Sequence, residues 1–245
     1  MIDLSFVIPS IRTPNLVAVY NSILENCQDY SFEIIFISPY PLPECFEKIK
    51  SIKYIRSFRS PNACQQLGAL LAEGEVLHFS CDDGFYENSG IDICMDYLRN
   101  NKNKSAVTAK YSEGDGIVHD NEYYKLQKAY PKSIHLKDNF YIFNVAFINR
   151  KYFEYLGGFN CKYNVTCLGH ADLGGRQQIL NGPVDLIETP ILKCLHEPGT
   201  SFSHKPIHDS QVFEDSPLYQ EEWNKEKCPD LRIEMDNWRN SPNIF

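Results

Sequence analysis

The chain has 245 residues, 43% hydrophobic and 23% charged, with a formal net charge of −8. That length and apolar content predict one large folded domain, with or without a tail, and exclude a disordered chain. The acidic balance and the lack of any basic run exclude a nucleic-acid groove as the main surface, so an anionic substrate would need a local cation, metal or arginine.

In chain order, "LSFVIPS" (4–10) reads as a first strand ended by Pro9. Residues 15–27 carry Leu16, Val19, Tyr20, Ile23 and Leu24 at helical spacing, with Thr13 or Asn15 as cap and Pro14 in the first turn. Strands follow at 32–39 and 52–58, then a helix over 61–74 between Pro61 and Gly74. A strand at 75–80, a helix at 90–101 and a strand at 105–111 complete the first half. This β-α-β-β-α-β-α-β order with near-continuous apolar strands predicts an α/β fold, its sheet mostly parallel and covered on both faces. The second half is less regular. It offers a tyrosine-rich excursion over the site (115–131), then a strand and a short helix stopping at Gly157-Gly158. A helix from about Ala171 to Gly182 follows, then two strand segments around Pro190 ending at His196. One short helix is expected near "PLYQEEWNKEK", and no linker marks a second domain.

Nine cysteines stand singly with no CxxC pair, so they read as reduced thiols rather than a zinc site, in a cytoplasmic protein, free or peripheral at a membrane. "MIDLSFVIPS" reads as a strand rather than a signal peptide, and no segment reaches the length of a membrane span.

The apolar run "VLHFSCDDG" ends in two adjacent carboxylates, Asp82 and Asp83. Either they form a turn, or a cation offsets their repulsion. Ligands of open α/β sheets sit beyond the carboxyl ends of the strands, so "VIPSIRTP" and "HFSCDDG" are expected to face one crevice.

Four blocks in order carry a resemblance to the GT-A glycosyltransferases, the family-2-like group that uses nucleotide sugars. They are "FVIPSIRTPNLVAVYNSIL", "RSPNACQQLGALLAEGEVLHFSCDDG", "LGGFN" with "GHADLGGRQQILNG", and "HEPGTSFSH". The resemblance implies a Rossmann-like GT-A domain over 1–210, its nucleotide-binding half about 1–112 and its acceptor half about 113–210. Residues 211–245 would be an extension packed on it. It further implies metal-assisted, inverting transfer of a sugar from a nucleotide-diphosphate sugar to a hydroxyl of a glycan, lipid-linked glycan or protein. Pro9, Ser10, Arg12, Ser38, Arg59, Gln65, Cys81 and Asp82 would contact the donor. Asp82, Asp83 and His196 would hold Mn²⁺ or Mg²⁺, with His204 and His208 as weaker candidates. Asp172 would take the acceptor's proton while His170 contacts the acceptor. The alternative for Asp172 is an i,i+4 ion pair with Arg176.

The sequence departs from that pattern at Ser80 and His170, where the family carries acids, and after the second strand, where it carries another. Two other readings compete. One is a non-catalytic nucleotide- or glycan-binding protein of the same fold. The other is a nucleotidyltransferase, disfavoured because "IPSIRTPN" holds no glycine-rich phosphate loop.

Overall fold

The computed structural model describes residues 2–114, 116–121, 134–136, 140–195 and 205–244. Strand β1 (Leu4–Pro9) shows why the apolar runs are continuous. Leu4, Phe6 and Ile8 enter one core while Val7 enters another, because successive side chains leave opposite faces of a strand. Helix α1 (Leu16–Asn26) follows, then β2 (Phe32–Ser38), which alternates in the same way, and β3 (Ile52–Arg56). Helix α2 (Pro61–Leu71) begins at Ser60, whose Oγ accepts from the Ala63 N–H, with Pro61 in its first turn. Then come β4 (Val76–Phe79), β5 (Gly84–Tyr86) and α3 (Gly90–Asn100).

The second half comprises β6 (Ala106–Glu113), β7 (Ile117–His119), β8 (Ala146–Asn149), α4 (Arg150–Leu156) and α5 (Thr166–Asn181). It continues with β9 (Asp185–Cys194), α6 (Lys205–Ser210), a π-helical turn over Gln211–Asp215 and α7 (Ser216–Trp223). Helix α4 stops where expected, at Gly157 and Gly158, both with positive φ (79° and 74°) that a glycine adopts without strain.

The sheet order is β3-β2-β1-β4-β8-β6-β9-β5, with β7 on the flank of β6. Strands β3, β2, β1 and β4 are parallel. Beyond them β8 runs antiparallel to both β4 and β6, β9 lies parallel to β6, and β5 closes antiparallel on β9. Helices α1 and α3 cover one face; α2, α4 and α5 cover the other. A third core joins α5 to α7 through Leu168, Ala171, Tyr219 and Trp223. The α/β class with helices on both faces is therefore the one the strand pattern predicts.

Two elements differ from their sequence reading. Helix α5 starts five residues before Ala171, because it is packed on all sides. Residues 168–178 are all buried, so no amphipathic stripe marks its first turn. Strand β9 runs through Pro190 as one element. Its register against β6 shifts between Ala109 and Lys110, so residues 188 and 189 bulge out and Pro190 needs no ladder donor. Of the expected excursion at 115–131, residues 116–121 are described and carry β7, while 115 and 122–131 lie outside the described residues, as do 196–204. No described helix is long and apolar enough to cross a membrane.

Candidate functional site

Chain order turns back at β1: β2 and β3 lie to one side of it and β4 to the other. Beyond the carboxyl ends of these strands opens a cavity of about 440 Å³. Pro9, Ser10 and Arg12 from the β1 end and Cys81, Asp82 and Asp83 from the β4 end share it. Arg59 and Gln65 line the start of α2, and Asn144 and His170 form the opposite wall.

Asp82 is 3% exposed and its oxygens are fully engaged. Its Oδ2 accepts from Ser10 Oγ (3.1 Å), Ile11 N (3.0 Å) and Arg12 N (2.8 Å). Its Oδ1 accepts from Arg12 Nε (2.9 Å) and Nη2 (2.5 Å). Arg12 Nη2 also lies 3.1 Å from Asp83 Oδ2. A carboxylate offers about four lone-pair sites, so these donors saturate it. Hydrogen bonds to charged groups contribute roughly 1.5–3 kcal/mol each, and a metal would have to displace several. Among the described residues no three His, Cys, Asp or Glu side chains come together as a ligand set. The acid pair therefore has a counter-ion already, the Arg12 guanidinium, and as arranged does not fit the Mn²⁺ or Mg²⁺ expected of it. His196 and His204, the proposed imidazole ligands, lie outside the described residues.

Cys81 Sγ sits 3.9 Å from Cys194 Sγ. That contact and burial push the Cys81 thiol well above its usual pKa, so it stays protonated. Ser38 does not line the cavity; its buried hydroxyl accepts from Tyr40 N at 3.1 Å. Arg59 lines the cavity with its Nη1 bonded to the carbonyls of Trp238 (3.2 Å) and Ser241 and its guanidinium 5.1 Å from the Trp238 ring.

His170 and Asp172 part company. Two residues on a helix lie about 200° apart, so only one of them can face the crevice. That residue is His170. Its Nε2 is 2.8 Å from Gln65 Oε1, its Nδ1 3.2 Å from Asn144 Oδ1, and its ring stacks on Phe159. Burial pushes its pKa down to about 3, so the ring is neutral. A neutral imidazole carries one N–H, so one of the two amides must present its NH₂ to the ring. Asp172 points into the core, 1% exposed. Its Oδ2 accepts from Arg176 Nε at 2.8 Å and its Oδ1 from Trp223 Nε1 at 3.2 Å. Arg176 also donates to the carbonyls of Leu156 and Gly158. The structure thus places Asp172 against an i,i+4 arginine and a tryptophan, the alternative reading of its sequence, and not in the lining of the cavity.

Glu113 and Asn144 are among the wall residues that escape the sequence reading. Glu113 ends β6, two residues beyond the point where the apolar pattern stops; the strand-end rule applied there would find it. Asn144 precedes β8 and carries no local signal. His208, a weaker metal candidate, reaches the wall from α6 without a ligand set around it.

The segment carrying His208 is tied down by Asp215. Its carboxylate accepts from the backbone N–H groups of Asn164 (2.9 Å) and Val165 (2.7 Å), just ahead of α5. Burial raises its pKa from 3.8 to about 6. The folded state then holds this proton more tightly than the unfolded chain, so its contribution favours folding at low pH and is lost as pH rises from about 4 through 6. Relative to Asp215→Asn, wild-type stability is expected to fall by up to about 3 kcal/mol between pH 4 and pH 6.5. Urea unfolding of both proteins across that range measures it. A difference that does not change with pH would refute the assignment.

No protein-family model matches the chain, and no curated protein matches it. Solved structures do. The crystal structure of S. aureus TarS 1-349 superposes with a TM-score of 0.59 at 10% identity, covering 87% of this chain and 66% of that one. TarS 1-349 in complex with UDP and with UDP-GlcNAc gives TM-scores of 0.58 and 0.59, also at 10% identity and 87% of this chain, and 66% and 67% of theirs. The chain thus spans about two thirds of the length of these structures. Likeness at that identity is likeness of fold, and the fold is the Rossmann-like GT-A type that the four sequence blocks resemble.

Proposed function

We propose that this chain transfers a sugar from a nucleotide-diphosphate sugar to a hydroxyl acceptor, a glycan, lipid-linked glycan or protein, with inversion. The observation that carries the reading is the crevice itself, at the point where strand order turns back, in a fold whose TarS relatives are solved with UDP and UDP-GlcNAc. In this reading the base and ribose lie against Pro9, Ser10, Ile37 and Pro39, and the sugar reaches Gln65 and His170. The acceptor enters past Glu113 and α6. Negative charge grows on the diphosphate as the glycosidic bond breaks and must meet a fixed positive charge. A group must also take the acceptor's proton as the new bond forms. Neutral His170 orients the acceptor through Gln65 and Asn144. Glu113, a carboxylate of the cavity wall with a side chain 33% exposed and 3.4 Å from His119 Nε2, is the base.

A thermal-shift panel of UDP, GDP, CDP, ADP and dTDP and their sugars tests the reading. The cognate nucleotide at a hundred times its Kd stabilises by about 2.7 kcal/mol, a rise of about 5–10 °C for a chain of this size. If no member of the panel shifts the melting temperature, the reading is wrong. A second reading, binding without transfer, draws on the buried Asp172 and on the weak basicity of His170. It predicts a thermal shift without release of nucleoside diphosphate in the presence of any acceptor.

A further inference from the structure

Two arginines reach the crevice, and they are held differently. Arg12 is committed to Asp82 and Asp83. Asp82 cannot turn its Oδ2 outward without releasing the Ile11 and Arg12 backbone N–H groups. Arg59, by contrast, makes no ion pair among the described residues. Its bonds run from Nη1 to two backbone carbonyls, which aim the guanidinium without neutralising it. Those carbonyls belong to the C-terminal segment, which is pinned beside Arg59. Ser241 Oγ lies 2.9 Å from Ser60 Oγ, Ile244 N donates to Phe58 O at 2.9 Å, and Asn243 forms a β-bridge with Arg59. The Trp238 ring packs against the guanidinium from the same segment.

From this difference we infer that the diphosphate is met by Arg59, positioned by the C-terminal segment, and that nucleotide binding requires no divalent cation. The inference rests on the glycosyltransferase reading. Arg12 takes the place a metal would have at the acid pair, as a permanent counter-ion locking the β1 and β4 loops together. Arg59 supplies the net positive charge, and residues 238–244 become part of the donor site rather than an appendage.

The experiment is isothermal titration with the nucleoside diphosphate selected by the thermal panel and, separately, with inorganic pyrophosphate, each in EDTA and in excess Mn²⁺. For wild type the Kd is expected to agree within about twofold between the two conditions, whereas Arg59→Gln should weaken binding at least about tenfold in both. Arg59→Lys, which keeps the charge and gives up the carbonyl fork, should fall between them, and it serves if Arg59→Gln does not fold. Trp238→Ala should also weaken binding while the melting temperature shows the domain intact. Binding that vanishes in EDTA and returns with Mn²⁺ overturns the inference. So does stoichiometric Mn²⁺ uptake by the nucleotide-free protein, read by electron paramagnetic resonance, and this arm stands whatever nucleotide binding shows. If no diphosphate binds in either condition while the protein is folded, the glycosyltransferase reading itself fails and the inference falls with it.

Discussion

Arg176→Met is expected to lower the unfolding free energy by about 3–5 kcal/mol, the usual cost of removing one partner of a buried ion pair. Arg176 and Asp172 are both 1% exposed, so neither can recover its lost bonds from water. The substitution strands the Asp172 carboxylate, whose pKa burial already raises against the pull of Arg176. It also removes the donors to the Leu156 and Gly158 carbonyls, which hold the turn between α4 and α5. Urea unfolding reads the loss. Adding Asp172→Leu should restore much of it, because an apolar pair of similar volume leaves no buried charge uncompensated. A loss under about 1 kcal/mol for the single variant would mean the pair is far wetter than its burial indicates. The same pair decides the catalytic question. If Asp172→Asn stops transfer while its melting temperature holds, Asp172 is the base after all.

Glu113→Gln is expected to slow transfer about a hundred- to ten-thousandfold, the range for losing a positioned acid or base, with nucleotide affinity unchanged. The argument is one of position and charge. Asp82 and Asp83 are bonded to Arg12, and Asp172 is sealed in the core. His170 has its pKa pushed down to about 3 by burial, well below a free histidine, which leaves it a weak proton acceptor at neutral pH. Single-turnover transfer with nucleotide binding measured in parallel separates chemistry from binding. His170→Gln should leave the shape of the pH–rate profile intact, since burial keeps His170 neutral and it contributes no limb near pH 6 to 7 to be lost. A transfer rate near wild type in Glu113→Gln would assign the proton to another group.

The parallel half of the fold is legible because β1, β2 and β4 are buried on both faces and therefore read as near-continuous apolar runs, interrupted only by single polar residues such as Glu33 and His78. The strand-end rule correctly brings Ser10, Arg12 and Asp82 into one crevice. What it cannot supply is the partner of Asp82. The Arg12 bond joins residues 70 apart, and "CDDG" alone carries no trace of it. Helix α5 hides its start for the opposite reason, since a helix wrapped by core on all sides presents no stripe. With the start misplaced, the simple angular argument separating His170 from Asp172 is lost as well. Helix α6, which brings His208 to the wall, is too short to show a period.

The position of β9 in the sheet also bears on how the protein comes off the ribosome. Among the described strands β5 pairs only with β9, Gly84 opposite Cys194, and the Leu195 N–H bonds the Asp83 carbonyl at 2.8 Å. The loop carrying Asp82 and Asp83 is thus fastened on one side by β1 and on the other by a strand made more than a hundred residues later. Closing so distant a contact is entropically costly and slow. A nascent chain that ends before residue 194 can pair β1 to β4 yet leaves β5 without its ladder. The crevice would then become rigid only late in synthesis, after β9 slots between β6 and β5 and the segment 238–244 has followed to pin Arg59.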